Sequence, residues 1–323
     1  MRTVEVRGFG GPEHLAWIEV PTPRPAAGEL LLRLAACGLN HADLLMRQGV
    51  YVGGPRPPFR PGMEAAGTVE EVGPAAPAGA PMPGTRVAAV AASGLQATHA
   101  VVPAASCVPI PEGLTWEHAA ALPVTHLTAY HALVTVARAQ PGEVALIHGA
   151  AGGLGGAAVQ IARRLGLRVV ATASTPERQA RARELGAERA TGYEGFERVV
   201  RELTGGRGPD LVLETIGGEV MRRSLRLLPP LGRLVVLGMV SQSAPAVDAV
   251  QLLFRSQAVL GFHLRALLGR DDLIAPSLRR IFGWVAASEI TVDIGQVLPL
   301  AEIRRAHELL ADRRTAGKIV LVP

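Results

Sequence analysis

The sequence predicts an α/β protein in which a doubly wound parallel sheet is joined to a β-rich domain. Three observations carry this reading. Up to about residue 110 the chain reads as short strands broken by Pro and Gly. Beyond residue 140 strand and helix alternate. Inside that alternation, residues 145 to 178 hold six glycines, five where an apolar strand turns into an amphipathic helix and one where the helix stops. A chain of 323 residues is more than one core usually serves, so two domains are expected.

The elements follow in order. "TVEVRGF", "ELLLRLAACG", "EAAGTVEEVG", "TRVAAVAA" and "ATHAVVP" read as strands of an antiparallel domain, and "PAAPAGAPMPG" (74 to 84) as a surface loop too rich in Pro and Ala to form an element. From Thr115 to Ala139 the apolar spacing is helical. Then come "EVALIH", the glycine turn and its helix, "RVVATA", "PERQARAREL", "FERVVRELT", "PDLVLET", "EVMRRSLRLL" and "RLVVLG". Apolar strands alternating with helices mean a parallel sheet covered on both faces. The tail holds two helices, "LIAPSLRRIFGWVAAS" and "AEIRRAHELLADR", and the strand "KIVLV", which most simply return to the first domain. The expected division is 1–122 and 265–323 for the β-rich domain and 123–264 for the parallel sheet.

Composition narrows the function classes. No apolar run reaches the length of a membrane span and "MRTVEVRGFG" has no signal-peptide core, so a soluble cytoplasmic protein is expected. Cys37 and Cys107 are the only cysteines, too few for a disulfide framework or a cysteine-rich zinc lobe. The net charge is +5, but Lys318 is the only lysine and the arginines are scattered, which argues against a nucleic-acid face.

The glycine turn carries the first chemistry. Leu154, Ala158, Ile161, Ala162 and Leu165 share one helical stripe, Arg163 and Arg164 face away, and Gly166 stops the helix. Ala150, Gly152 and Gly155 then fit a dinucleotide fingerprint: small residues allow a tight turn, let backbone N–H groups approach a pyrophosphate, and let helix pack on strand. The helix N-terminus adds unpaired donors and partial positive charge. An NAD site usually has Asp or Glu at the end of the second strand. Here that strand ends "ATASTPER". Thr175 reads as an N-cap with Pro176 at the first helical position, which puts Arg178 in the first turn, where a cation opposes the helix dipole. The functional reading is that Arg178 meets the 2′-phosphate of NADPH. Tyr193 covers the same phosphate or simply packs.

"AACGLNHAD" (35 to 43) and "PGMEAAGTVEEVG" (61 to 73), with "GLNHADLLMRQGVY", "LTAYHAL", "IHGAAGGLGGAAVQ" and "GKIVLVP", make the whole chain resemble the medium-chain dehydrogenase/reductase superfamily. The resemblance is nearest to its zinc-independent, zeta-crystallin-like NADPH:quinone oxidoreductases. It implies a Rossmann NADP-binding domain and a GroES-like catalytic domain. In the zinc enzymes these motifs carry a Cys ligand and a Gly-His-Glu with His as ligand; here those places hold Asn40 and Met63, and the proton-relay hydroxyl falls on Ala42, so no metal is expected.

Residue by residue, the resemblance implies that Asn40 and Tyr51 edge the substrate cleft and Thr128 approaches the nicotinamide. Ala151, Gly152, Gly153 and Leu154 would hold the pyrophosphate, and Ser174, Arg178 and Tyr193 would surround the 2′-phosphate. Gly218, Leu237, Gly238 and Met239 would lie along the cofactor, with Phe262, His263 and Leu264 closing the far side. The bland alternatives are that Asn40 is a turn residue and Tyr51 a loop cap. His41, His148 and His263 read as structural, since no triad or metal spacing surrounds them. Glu64 reads as a brace rather than a base.

Without a Lewis acid, unactivated ketones are poor acceptors, whereas a quinone spreads incoming charge onto a distant oxygen that one or two hydrogen-bond donors can stabilise. Asn40 and Tyr51 are the candidate catalytic donors. The expected activity is NADPH-dependent hydride transfer to a quinone. The alternatives are reduction of α,β-unsaturated carbonyls or enoyl thioesters, and an NADPH-binding protein with an RNA-binding or sensor role. The apolar strand "AVLGFHL" (258 to 264), placed at or near a sheet edge, leads to the expectation of a homodimer.

Overall fold

The long apolar run after Gly28 forms a strand buried over most of its length, because the β-rich unit closes around it. In the computed structural model, which describes residues 1–312 and 317–323, the chain divides into two compact units: Met1–Leu127 with Leu267–Pro323, and Thr128–Ala266.

The first unit opens with β1 (Arg2–Val6) paired antiparallel to β2 (Leu15–Glu19). The long strand β3 (Glu29–Leu39) leads into a short helix α1 (His41–Gln48), and then β4 (Glu64–Val72), β5 (Arg86–Val90), β6 (His99–Pro103) and β7 (Cys107–Pro109) follow. Helix α2 (Trp116–Ala120) is capped by the Thr115 hydroxyl, which accepts from His118 N–H. Helix α3 (Pro123–His131) carries the chain across the division and loosens into a π turn at Ala132–Val136, closed by Ala137 N–H donating to Ala132 C=O at 2.9 Å.

The second unit runs β8 (Val144–Ile147), α4 (Gly153–Arg164), β9 (Arg168–Thr172), α5 (Pro176–Glu184), β10 (Arg189–Thr191), α6 (Phe196–Thr204), β11 (Leu211–Glu214), α7 (Gly218–Leu227), β12 (Arg233–Val236), α8 (Ala249–Arg255) and β13 (Ala258–Gly261). Its six strands are all parallel in the order β10-β9-β8-β11-β12-β13. Chain order therefore reverses between β8 and β11, the switch point at which open α/β sheets bind ligands beyond their carboxyl ends. Val144, Leu146, Val170, Phe196, Val212 and Leu234 fill its core. Each such buried side chain contributes roughly 1.5 to 3 kcal/mol.

The chain then supplies α9 (Asp271–Ala286), β14 (Ile294–Pro299), α10 (Ile303–Ala311) and β15 (Lys318–Val322). Strand β15 pairs antiparallel with β3, completing a sheet in the order β14-β15-β3-β4-β5-β7 with β6 also on β3. The first unit's core gathers Val4, Leu30, Leu32, Leu39, Ile319 and Leu321. Helix α10 ends at Ala311, so Arg313 of the expected helix lies outside the described residues. Strands β2, β7 and β14 and helices α1 and α8 add to the elements expected from the sequence. Among the described residues no helix is long and apolar enough to cross a membrane.

Candidate functional site

The second unit carries its candidate residues at the switch point. Strand β8 ends at Ile147 and the chain turns at Gly149, whose φ of 67° is left-handed. Gly149 makes the tight turn, while Ala150, in the first place of the fingerprint, is buried and donates its N–H to Thr172 C=O at 3.0 Å. A Cβ on Gly155 would lie 2.2 Å from the Gly149 carbonyl oxygen, so helix and turn approach closer than any side chain permits. Gly152 caps α4 without a side-chain acceptor, and no acidic residue sits in the first turn. Gly152 N–H donates to Gly149 C=O at 3.0 Å and closes the turn, which leaves the N–H groups of Ala151, Gly153 and Leu154 at the electropositive start of α4, a setting suited to a pyrophosphate.

His148 holds this turn in place. Buried completely, it shares hydrogen bonds with Thr172 Oγ1 and Ser224 Oγ, both at 2.8 Å, and burial, then the Arg223 charge, pushes its pKa down to about 3. Glu214, equally buried, accepts from the N–H groups of Ile216 at 2.5 Å and Gly217 at 2.9 Å; burial raises its pKa against those bonds. Neither Glu214 nor Gly149 was singled out in the sequence.

At the end of β9, Ala173 is buried and Ser174 exposed. Thr175 caps α5 by accepting Arg178 N–H at 3.3 Å, with Pro176 in the first turn. Arg178 is half-buried. The one acid of that turn, Glu177, is exposed and held below the usual carboxylate range, chiefly by the Thr175 hydroxyl. The Tyr193 ring lies 6.3 Å from the His148 ring, beyond β10.

Two loops meet past β11 and β12. Leu237 N–H donates to Glu214 C=O at 2.8 Å and Val240 N–H to Thr215 C=O at 3.0 Å, while Gly218 N–H donates to Ser243 C=O at 2.8 Å. Gly218, Leu237, Gly238 and Met239 are thereby brought to one carboxyl edge. Phe262 N–H donates to Val236 C=O at 3.1 Å, and its ring stands 6.4 Å from that of His131. This ties the end of β13 to the helix that carries Thr128. His263 is exposed and Leu264 buried beside it in sequence.

The first unit holds a buried polar cluster of its own. Asn40 ends β3 and caps α1, with Asp43 Oδ2 accepting its backbone N–H at 2.9 Å. Its side-chain amide donates to Glu64 Oε1 at 2.8 Å, and its Oδ1 accepts from Lys318 Nζ. Lys318 Nζ also lies 2.5 Å from Glu64 Oε1, and Glu64 Oε2 accepts Val124 N–H at 2.7 Å, where a carboxylate suits the N-terminus of α3. Glu64 is fully sealed and Lys318 is 6% exposed. Gly38 admits this carboxylate, since a Cβ there would fall 2.2 Å from Glu64 Oε1. Burial pushes Asp43 up to about 7 against the pull of Asn40 N–H and Lys318, and burial followed by Lys318 drives His126 down to about 3.

Tyr51 stands half-buried past the far end of α1, its N–H on Leu45 C=O at 3.2 Å. Asn40 and Tyr51 are therefore separated by the length of an eight-residue helix, about 12 Å of rise. Glu64 is the brace the sequence suggested; Lys318 and Gly38 were missed, because only the fold brings the last strand and β4 together beneath β3.

The glycine turn of the second unit suits a dinucleotide, and the polar cluster of the first does not suit zinc. An amide at Asn40 and a thioether at Met63 are poor donors for zinc, and the Lys318 ammonium, bonded to Asn40 and Glu64, would repel a divalent cation.

Residues 26–112 match the family described as an alcohol dehydrogenase GroES-like domain, and residues 153–281 the family described as a zinc-binding dehydrogenase. The chain is 35% identical to the human synaptic vesicle membrane protein VAT-1 homolog, over 100% of this chain and 86% of that one. It is 34% identical to a 2-haloacrylate reductase of a Burkholderia species, over 97% and 96%. Its structure resembles that of a Thermus thermophilus quinone oxidoreductase, studied alone and with NADPH, at a TM-score of 0.88 and 41% identity over 100% of both chains.

Proposed function

The chain belongs to the medium-chain dehydrogenase/reductase superfamily, among its quinone oxidoreductases, and from that premise we propose that it is an NADPH-dependent, zinc-independent reductase of quinones. The carrying observation is the Lys318–Glu64–Asn40 cluster, which fills with an ammonium the surroundings in which a catalytic metal would need ligands. An acceptor reduced here must spread its own charge, as a quinone does, and take its remaining stabilisation from hydrogen-bond donors.

Bound NADPH would supply the hydride. The residues of this chain would do the rest: Ala151, Gly153 and Leu154 would offer backbone N–H groups to the pyrophosphate, with Gly152 shaping the turn beneath it, and Ser174, Arg178 and Tyr193 would surround the 2′-phosphate. Gly218, Leu237, Gly238 and Met239 would lie along the cofactor with Thr128, Phe262, His263 and Leu264. Asn40 and Tyr51 are the proposed donors to the acceptor oxygen. We further propose a cytoplasmic homodimer formed through β13, whose one described strand partner is β12.

A second reading, reduction of α,β-unsaturated carbonyl compounds by the same groups, is favoured by the likeness to the 2-haloacrylate reductase. The deciding experiment follows NADPH absorbance with purified protein across a panel of quinones and conjugated enones. Quinones turned over fastest support the proposal. Faster enone turnover moves the assignment to the second reading, and tight NADPH binding with no consumption on any acceptor leaves a binding protein.

A further inference from the structure

Lys318 is the chain's only lysine; every other member of its 33 basic residues is arginine. It lies buried in β15, donating to Asn40 Oδ1 and paired with Glu64 Oε1 at 2.5 Å. A buried ion pair is no better for stability than well-packed apolar side chains, so stability alone gives little reason for this one. An ammonium is compact and donates in three directions, which lets one atom reach both oxygens; a planar guanidinium fork does not.

The consequence falls on Asn40. An amide can be turned either way in most settings, but here a group that only donates faces its oxygen and a carboxylate faces its nitrogen. One orientation remains. One Nδ2 hydrogen is spent on Glu64, and among the described residues the second has no acceptor. Lys318 also polarises the amide from its oxygen end, which strengthens that second N–H as a donor.

We propose that Lys318 is a positioning residue for hydride transfer, which through Asn40 Oδ1 and Glu64 fixes the amide so that one N–H is presented to the acceptor oxygen; this rests on the reading of Asn40 as a donor to that oxygen. Lys318→Met alone would strand the Glu64 charge in the interior and risks the fold, so the test uses the neutral pair Lys318→Gln with Glu64→Gln, whose amides no longer dictate one orientation. The variant is made in the wild type and in Asn40→Ala. Its folding is checked by circular dichroism and its NADPH affinity by fluorescence titration.

In the wild-type background kcat/KM for a quinone should fall roughly fivefold to a hundredfold with NADPH affinity nearly unchanged. In the Asn40→Ala background the same change should cost nothing further, since a residue that acts only through Asn40 has nothing left to position. A loss of equal size in both backgrounds, or no loss in either, overturns the proposal. An Asn40→Ala variant that keeps full activity removes the donor reading and the proposal with it. If the paired variant does not fold, Lys318→Arg is put through the same comparison, with a smaller loss expected and the same outcomes deciding.

Discussion

The Gly149 carbonyl oxygen and Gly155 approach so closely that a Cβ on Gly155 would sit 2.2 Å from that oxygen, with the Gly149 carbon at 2.7 Å and Ala150 Cα at 2.8 Å. All three obstacles are backbone and cannot swing aside. Gly155→Ala should therefore push α4 away from the turn, costing about 1 to 3 kcal/mol of stability and weakening NADPH by at least roughly tenfold. Isothermal titration beside a denaturant melt checks both, and an unchanged NADPH affinity would show that the cradle tolerates the shift.

Arg178→Ala should weaken NADPH by roughly tenfold to a hundredfold, the worth of one charge-assisted contact, and leave NADH nearly untouched. The cap should survive, because Thr175 holds the backbone N–H of residue 178 and not its side chain. Equal losses for both cofactors, or a wild type that prefers NADH, would count against the 2′-phosphate assignment.

Tyr51→Phe and Asn40→Ala should each lower kcat/KM for a quinone by about fivefold to a hundredfold. The two residues stand at opposite ends of α1 but, as proposed, donate to the same acceptor oxygen. Their combined loss should therefore depart from the product of the single losses. Steady-state rates with deuterated NADPH test this; wild-type rates in both variants, with hydride transfer limiting, would leave orientation by the cleft as the better account.

Acid should destabilise the fold. Burial holds His126, His148 and His307 to pKa values of about 3, against about 6.5 in an unfolded chain. The stability each confers is present above 6.5 and is lost as pH falls from there towards 3, by roughly 1.4 kcal/mol per pH unit per imidazole. Asp43, raised to about 7, acts in the opposite sense, gaining stability as pH falls from 7 towards its unfolded value. Glu214, also raised by burial, acts with Asp43, and His131, lowered to about 4, acts with the other three rings, so four imidazoles against two carboxyls leave a net loss. Urea midpoints at pH 7 and pH 5 should drop accordingly, and an NMR titration of these rings with a midpoint near 6.5 would refute the burial argument.

Leu253 and Phe254 on α8 are 74% and 83% exposed, just before the edge strand β13. An unpaired edge next to an apolar helix face invites a second copy of the chain. Wild type should give a dimer mass by light scattering at micromolar concentration, and Phe254→Glu should shift it towards monomer. A monomeric wild type at that concentration would end the dimer proposal.

The parallel sheet was legible because its signals are local: alternation of strand and helix, Thr175 with Pro176 as a helix start, and a glycine turn between two apolar strands. Arg178 was placed by the same local rules. What escaped were relationships between distant segments. Nothing near residue 64 announces that its carboxylate will meet Lys318, and Gly38 reads as an ordinary glycine until Glu64 lies beneath it. Helix α1 was hidden in a stretch read for its motif, although Asn40 and Asp43 have the spacing of a reciprocal cap. That Gly149 turns the chain also escaped, because a pattern of small residues does not say which one is left-handed.

A single buried lysine also gives this chain one side-chain amine for the experimenter. Reagents that acylate amines should leave the folded protein unmarked at Lys318 until β15 lifts from β3. A protease that cuts only after lysine has one bond to attack, between Lys318 and Ile319, so its rate becomes a clock for the opening of that one strand.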